Sequence, residues 1–313
     1  MISLWTMGKE EIWAWGRPCM YLREPGERPM EPVVVELYHI RMQRKDAIGI
    51  IRLDRPERFN ALDVAMARDL RKAALQLARD PAIRCVILAG TDRAFCSGAD
   101  LKYVREREHP EDFSYLQPEA RPVEGGYGRS FKEILEYLHS TISEIRRAPK
   151  PFIAAVKGVA AAGGLGLAMA CDLVFASDRA AFEWAYSKTS LTGAESTTFL
   201  LPRLIGLRRA MEMVFLNPRL NAQQALEWGL INGIFPFETF DQEVEAIAHR
   251  LARGPTRAWA ITKALINEAL GIDRLDSHMA KELRCLVEIA ETPDFAEGLA
   301  AFFEKREPHF RGA

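Results

Sequence analysis

The sequence predicts an α/β protein built on a mainly parallel sheet, and three observations predict it. Short, nearly continuous apolar runs at Arg84–Ala89, Pro151–Val156 and Cys171–Ala176 have the length and composition of strands buried on both faces. Amphipathic helical stretches alternate with them, the pattern of βαβ units. Two of the runs, CVILAG and FIAAV, are each followed by a small-residue turn that opens a helix.

The elements follow in order. Residues 1–32 carry Trp5, Trp13, Trp15 and several prolines, and read either as an interface arm or as sequence upstream of a start at Met30. Val33–Met42 is expected as a strand and Ala47–Leu53 as its hairpin partner. Asp63 is placed to cap a helix whose apolar stripe is Ala65, Leu70, Ala73, Ala74 and Leu77. Residues 105–130 are charged and rich in Pro and Gly, which reads as a long loop. Ser130–Arg147 is a helix, Pro151–Val156 a strand, Leu165–Ala170 the start of a helix, and Cys171–Ala176 a strand. From Arg208 onward the pattern is nearly all helix. The expected organisation is therefore an N-terminal extension (1–32), an α/β core (33–205) and a helical C-terminal region (206–313).

Composition narrows the function classes. The chain has 313 residues, 48% of them hydrophobic, enough for a large core. Its 42 basic residues nearly balance 43 acidic ones, so it lacks the net basic field of a nonspecific nucleic-acid binder. No apolar run approaches the ~20 residues of a membrane span. Cys19, Cys85, Cys96, Cys171 and Cys285 show no CxxC spacing, which predicts reduced, mostly buried thiols, a cytoplasmic setting and no metal site.

The two turns share one physical logic. FCSGADLK (95–102) and GVAAAGGLG (158–166) each place small residues where a strand gives way to a helix. A helix start carries unpaired N–H groups and the positive end of the dipole. Two such N–H groups, converging from different turns, would form an oxyanion hole for a polarised carbonyl. Tight packing of helix on strand accounts for either turn taken alone. Dinucleotide and P-loop readings fail, because neither GxGxxG nor GK[ST] is present.

Six segments, LDRPERFNAL (53–62), AFCSGADLK (94–102), KGVAAAGGLGLAMACDLVFAS (157–177), LPRLIGLRRAMEMVF (201–215), QALEWGLINGIFP (224–236) and FFEKREPHF (302–310), together resemble the crotonase superfamily, the enoyl-CoA hydratase/isomerase family. The resemblance covers about residues 33–310. It implies a crotonase-like spiral of ββα units with a C-terminal helical trimerisation region, hence a homotrimer or a dimer of trimers. It implies an enzyme acting on acyl-CoA thioesters, of the kind found in fatty acid metabolism, with coenzyme A entering as part of the substrate and no other cofactor. The enolate oxygen would be held by the backbone N–H groups of Ala99 and Gly163. Coenzyme A would meet Arg58, the backbone of Ala99, Asp100 and Leu101, and Lys102, while Phe302 and Lys305 would reach a neighbouring subunit's CoA.

The resemblance also marks what is missing. Hydratases of the family use two glutamates, and their positions here are Gly166 and Tyr186. Other branches place one carboxylate in a later turn. A gapless reading puts it at Ala194, and the next residue, Glu195, is the best catalytic candidate; a glutamate stabilising the following helix dipole is its rival reading. Tyr186 would donate a hydrogen bond to the acyl group or line the pocket. Glu183 has the wrong strand parity, Asp172 reads as structural, and Asp100 braces the first turn. Phe182, Trp184, Tyr186, Tyr103, Phe113 and Tyr115 would suit a bulky acyl group or pack as core and lid. A single carboxylate favours double-bond isomerisation. The alternatives are hydration by carboxylates from other positions, such as Glu195 and the 105–130 loop, and a member that binds acyl-CoA without turnover.

Overall fold

The computed structural model describes residues 33–106 and 126–312. The N-terminal extension, Cys19, Phe113 and Tyr115 lie outside the described residues. An antiparallel meander comes first: β1 (Val33–Glu36), β2 (Ile40–Lys45) and β3 (Ile48–Leu53). The single strand expected over 33–42 is thus two strands. They are separated by a bend, where the Leu37 N–H donates to the Ile40 carbonyl at 2.9 Å. α1 (Val64–Arg79) begins where the Asp63 carboxylate accepts the Met66 N–H at 2.8 Å, a side-chain N-cap.

Three similar units follow. β4 (Cys85–Ala89) and β5 (Ala94–Cys96) lead to α2 (Leu101–Glu106) and α3 (Gly128–Arg147). β6 (Phe152–Val156) and β7 (Val159–Ala161) lead to α4 (Gly163–Ala170). β8 (Leu173–Ser177) and β9 (Ala181–Glu183) lead through a 3-10 turn at Tyr186–Thr189 to α5 (Thr197–Ile205). The remaining elements are α6 (Leu207–Leu216), β10 (Leu220–Asn221), α7 (Ala222–Glu227), β11 (Gly233–Phe235), α8 (Phe240–Ala252), α9 (Thr256–Ala269), α10 (Leu275–Ala290) and α11 (Pro293–Glu304).

In each unit the first strand enters a seven-stranded sheet, ordered β1-β2-β3-β4-β6-β8-β11. The second enters a four-stranded sheet, ordered β10-β9-β7-β5. Repeating that step winds the chain into a spiral of ββα units. β3, β4, β6, β8 and β11 run parallel, so the mainly parallel character holds beyond the initial meander. The C-terminal region is not purely helical: β11 adds to β8, and β10 pairs antiparallel with β9. These strands of two or three residues cover sheet edges and are too short to show a period of two. The expected 105–130 loop is helical at both ends, since α2 runs to Glu106 and α3 begins at Gly128.

All five residues of β4 are buried. Val86 and Leu88 face the main core with α1, α3 and α4. Ile87 and Ala89 face a second cluster closed by Phe240, Val244 and Ala248 of α8. Cys85, Cys96 and Cys171 are buried, whereas Cys285 is exposed on the outer side of α10. No described helix is long and apolar enough to cross a membrane, and no group of three or more His, Cys, Asp or Glu side chains among the described residues could hold a metal ion.

Candidate active site

β5, β7 and β9 are parallel neighbours in the small sheet, so their C-terminal ends form one rim. The two small-residue turns and the chain leading to Glu195 leave from that rim.

At the end of β5, Leu62 and Ala99 form a parallel bridge. The Leu62 N–H donates to the Gly98 carbonyl and the Asp100 N–H donates to the Leu62 carbonyl, both at 2.8 Å. In this pattern the Ala99 N–H faces away from Leu62. Gly98 has φ +93°, and a Cβ there would stand 2.7 Å from the Ala162 Cβ and 3.2 Å from the Gly163 nitrogen. The two turns therefore touch. At the end of β7, Ala162 has φ 47° and ψ −120°, a conformation that favours glycine. Strain of about 1–3 kcal/mol persists only where the surroundings fix it. Gly163 is the first residue of α4, so its N–H has no acceptor within the helix.

The third component is Glu195, itself in the left-handed region with φ 50° and buried to 3% exposure. A Cβ on Gly163 would come 2.8 Å from Glu195 Oε1 and 3.0 Å from its Cδ, so the carboxylate lies directly over this glycine. The Tyr186 hydroxyl donates to Glu195 Oε2 and lies 3.3 Å from the Ala194 carbonyl. Burial pushes the Glu195 carboxyl up to about 8; the Tyr186 hydrogen bond opposes this, and the negative charge of Glu282 adds to it. Burial, with the Glu195 charge beside it, holds Tyr186 well above its usual range, so Tyr186 is a neutral donor. Its ring packs edge-on against Trp184, with centroids 5.0 Å apart.

Gly166 has no room for a side chain. A Cβ there would overlap the Glu195 carbonyl oxygen and stand 2.7 Å from the Glu195 Cβ. The space that a hydratase's first glutamate would need is filled by the segment that brings in Glu195.

The residues assigned to coenzyme A fall into two groups. The Asp100 carboxylate accepts the Lys102 and Tyr103 N–H groups at 3.0 and 3.2 Å and pairs with Arg55 at 3.0 Å. It therefore braces the first turn, with Arg58 3.5 Å away and a third exposed. Leu101 opens α2, and Lys102 projects from it, half exposed and 3.7 Å from Glu106. Phe302 and Lys305 stand at the exposed C-terminal end of α11, and no described contact joins them to the Gly163–Glu195 cluster. Asp172 is a structural anchor, paired with Lys263 at 2.7 Å and accepting the Phe152 N–H at 2.9 Å. Glu183 is held away by Lys188 and Asn217.

Sequence reasoning missed Glu282. It sits on α10, 5% exposed, and its carboxylate accepts the Ser196 N–H at 2.8 Å and the Thr198 N–H at 2.9 Å. A signal was present: the buried stripe of α10 reads Leu275, Met279, Glu282, Leu286 and Ala290, with one charge among apolar residues.

The turn at Gly98–Ala99, the N-terminus of α4 at Gly163 and the buried Glu195 carboxylate thus meet at one rim of a spiral of ββα units. Comparison with known proteins identifies the enzyme family to which this fold belongs. The family model described as enoyl-CoA hydratase/isomerase matches residues 43–121 and 124–313. The chain belongs to that family, the crotonase superfamily. It is similar to a probable enoyl-CoA hydratase of Rhodobacter capsulatus, 37% identical over 88% of this chain and 99% of the relative. It is also similar to the 1,2-epoxyphenylacetyl-CoA isomerase of Escherichia coli, 34% identical over 83% of this chain and 93% of the relative. A crystal structure of an enoyl-CoA hydratase from Mycobacterium avium subsp. paratuberculosis superposes with a TM-score of 0.76 at 30% identity, covering 88% of this chain and all of that one.

Proposed function

We propose that the protein isomerises the double bond of an enoyl-CoA thioester, with Glu195 as the single acid–base group. The observation that carries this reading is the Glu195 carboxylate lying over Gly163, with its own backbone filling the space at Gly166. The thioester oxygen of a 3-enoyl-CoA accepts hydrogen bonds from the Ala99 and Gly163 N–H groups. Glu195 removes a proton from C2. The electron pair spreads over a dienolate whose charge the two donors stabilise, and the protonated Glu195 returns the proton at C4, giving the 2-enoyl product. Tyr186 orients the carboxylate by its hydrogen bond. Arg58, Lys102 and the backbone of Asp100 and Leu101 provide the CoA channel, where the cations meet phosphate. The setting is cytoplasmic.

Assembly as a homotrimer or a dimer of trimers fits the C-terminal helices, which expose Leu207, Met211 and Phe215 on α6 and Ile261 and Leu265 on α9. In such an assembly Phe302 and Lys305 would serve a neighbouring subunit's CoA.

The test compares 3-hexenoyl-CoA with crotonyl-CoA, using the unaltered enzyme and Glu195→Gln. Isomerisation that Glu195→Gln reduces by about 10²–10⁴-fold supports the reading. Fast hydration of crotonyl-CoA favours the second reading, hydration, which the name of the Rhodobacter relative supports.

A further inference from the structure

Glu195 and Ser196 occupy the left-handed region in succession, with φ 50° and 63°. For residues with a Cβ that conformation costs roughly 1–2 kcal/mol each, so something outside the turn must hold it. Ser196 cannot cap α5 itself: no side-chain cap bond forms there, and its buried hydroxyl has no partner in the structure. The cap comes from another part of the chain. Glu282 Oε2 accepts the Ser196 N–H, while Oε1 accepts both the Thr198 N–H and the Thr198 hydroxyl. One carboxylate thereby grips the backbone immediately after the base. His278, one turn earlier on α10, completes the set, its Nε2 lying 2.7 Å from the Thr198 hydroxyl oxygen.

We propose that Glu282 is a positioning residue of the reaction, holding the left-handed Glu195–Ser196 turn so that the base stands over Gly163. This rests on the reading of Glu195 as the base. The grip is strongest from an anion, since a protonated carboxyl accepts more weakly and an amide, with one acceptor oxygen, cannot take all three donors. The same anion is a like charge near Glu195 and raises its proton affinity. The other groups around the pair are Tyr186 from the 3-10 turn, Cys96 from β5, and His278 with Arg203 of α5 and Lys281 of α10. Burial and the charges of Arg203 and Lys281 lower the pKa of His278, so it is neutral near pH 7 and does not cancel the Glu282 charge. Asp276, with Arg147 and His139 beside it, lies in the first turn of α10.

The test reads Glu195 directly. In protein labelled with ¹³Cδ-glutamate, the Glu195 carboxyl resonance is assigned by its loss in Glu195→Gln, and its titration midpoint is followed in Glu282→Gln. The midpoint should fall by about one pH unit once the like charge is gone. With 3-hexenoyl-CoA at a pH above about 9, where Glu195 is ionised in parent and variant alike, kcat should drop about tenfold with KM within about twofold, because orientation is lost but CoA binding is not. Thr198→Val removes one donor to Glu282 and should move both readouts the same way by less. It decides the matter if Glu282→Gln does not fold. An unmoved midpoint with unaltered kcat in a folded variant overturns the proposal and leaves the base reading intact. Full turnover by Glu195→Gln overturns both.

Discussion

Burying a carboxylate under a tyrosine and over a glycine has opposite consequences for chemistry and for stability. With its carboxyl raised to about 8, free Glu195 is mostly protonated at neutral pH, and as the proposed base it would gain competence as pH rises. The profile of kcat/KM should climb with unit slope below about pH 8 and flatten above it, with that limb absent from Glu195→Gln. Stability moves the other way. The folded pKa lies above the unfolded value of 4.5, so this group's contribution is fully present below pH 4.5 and is lost as pH rises through about 8. Glu282, raised by burial to about 7 against three opposing hydrogen bonds, adds to the same loss. Glu195→Gln should therefore match the parent near pH 4 and exceed it by a few kcal/mol at pH 9, measured by urea unfolding. Equal stabilities at pH 9 would show that Glu195 ionises without penalty.

At the level of elements, what the sequence reveals depends on how local the cause is. Asp63 as N-cap, the buried run of β4 and the two strand-to-helix turns are legible because each is specified within a few residues. The meeting of those turns is legible only through the family resemblance, not from any local cause. Gly98 approaches Ala162, and Gly163 lies under Glu195, only because β5, β7 and β9 are neighbours in a second sheet. Glu195 is reachable from the sequence only as a one-residue shift in a motif, and the left-handed conformation of residues 195 and 196 is what turns that carboxylate inward. Glu282 was harder still, since its partners are 84 and 86 positions away. Gly166→Ala tests this packing. Its methyl group meets the Glu195 backbone, so overpacking of about 1–3 kcal/mol and a loss of turnover larger than any change in KM should follow. Turnover equal to the parent's would show that the Glu195 segment can shift freely.

For the whole molecule, the exposed apolar faces of α6 and α9 set the expectation about assembly. Phe215 and Leu216 are 74% and 75% exposed, side chains that a lone chain leaves in water. Sedimentation equilibrium should give a mass near three or six times 35.3 kDa. Leu265→Glu with Phe215→Glu should shift the protein to smaller species, and an unchanged mass would place the interface elsewhere. The filled space at Gly166 also bears on how such enzymes diverge. Consecutive coils of one spiral offer alternative berths for an acid, after β7 or after β9, and here the second berth physically occupies the first. A side chain at 166 and the present course of the 195 segment compete for one volume, so a change at either position carries a cost set by the other.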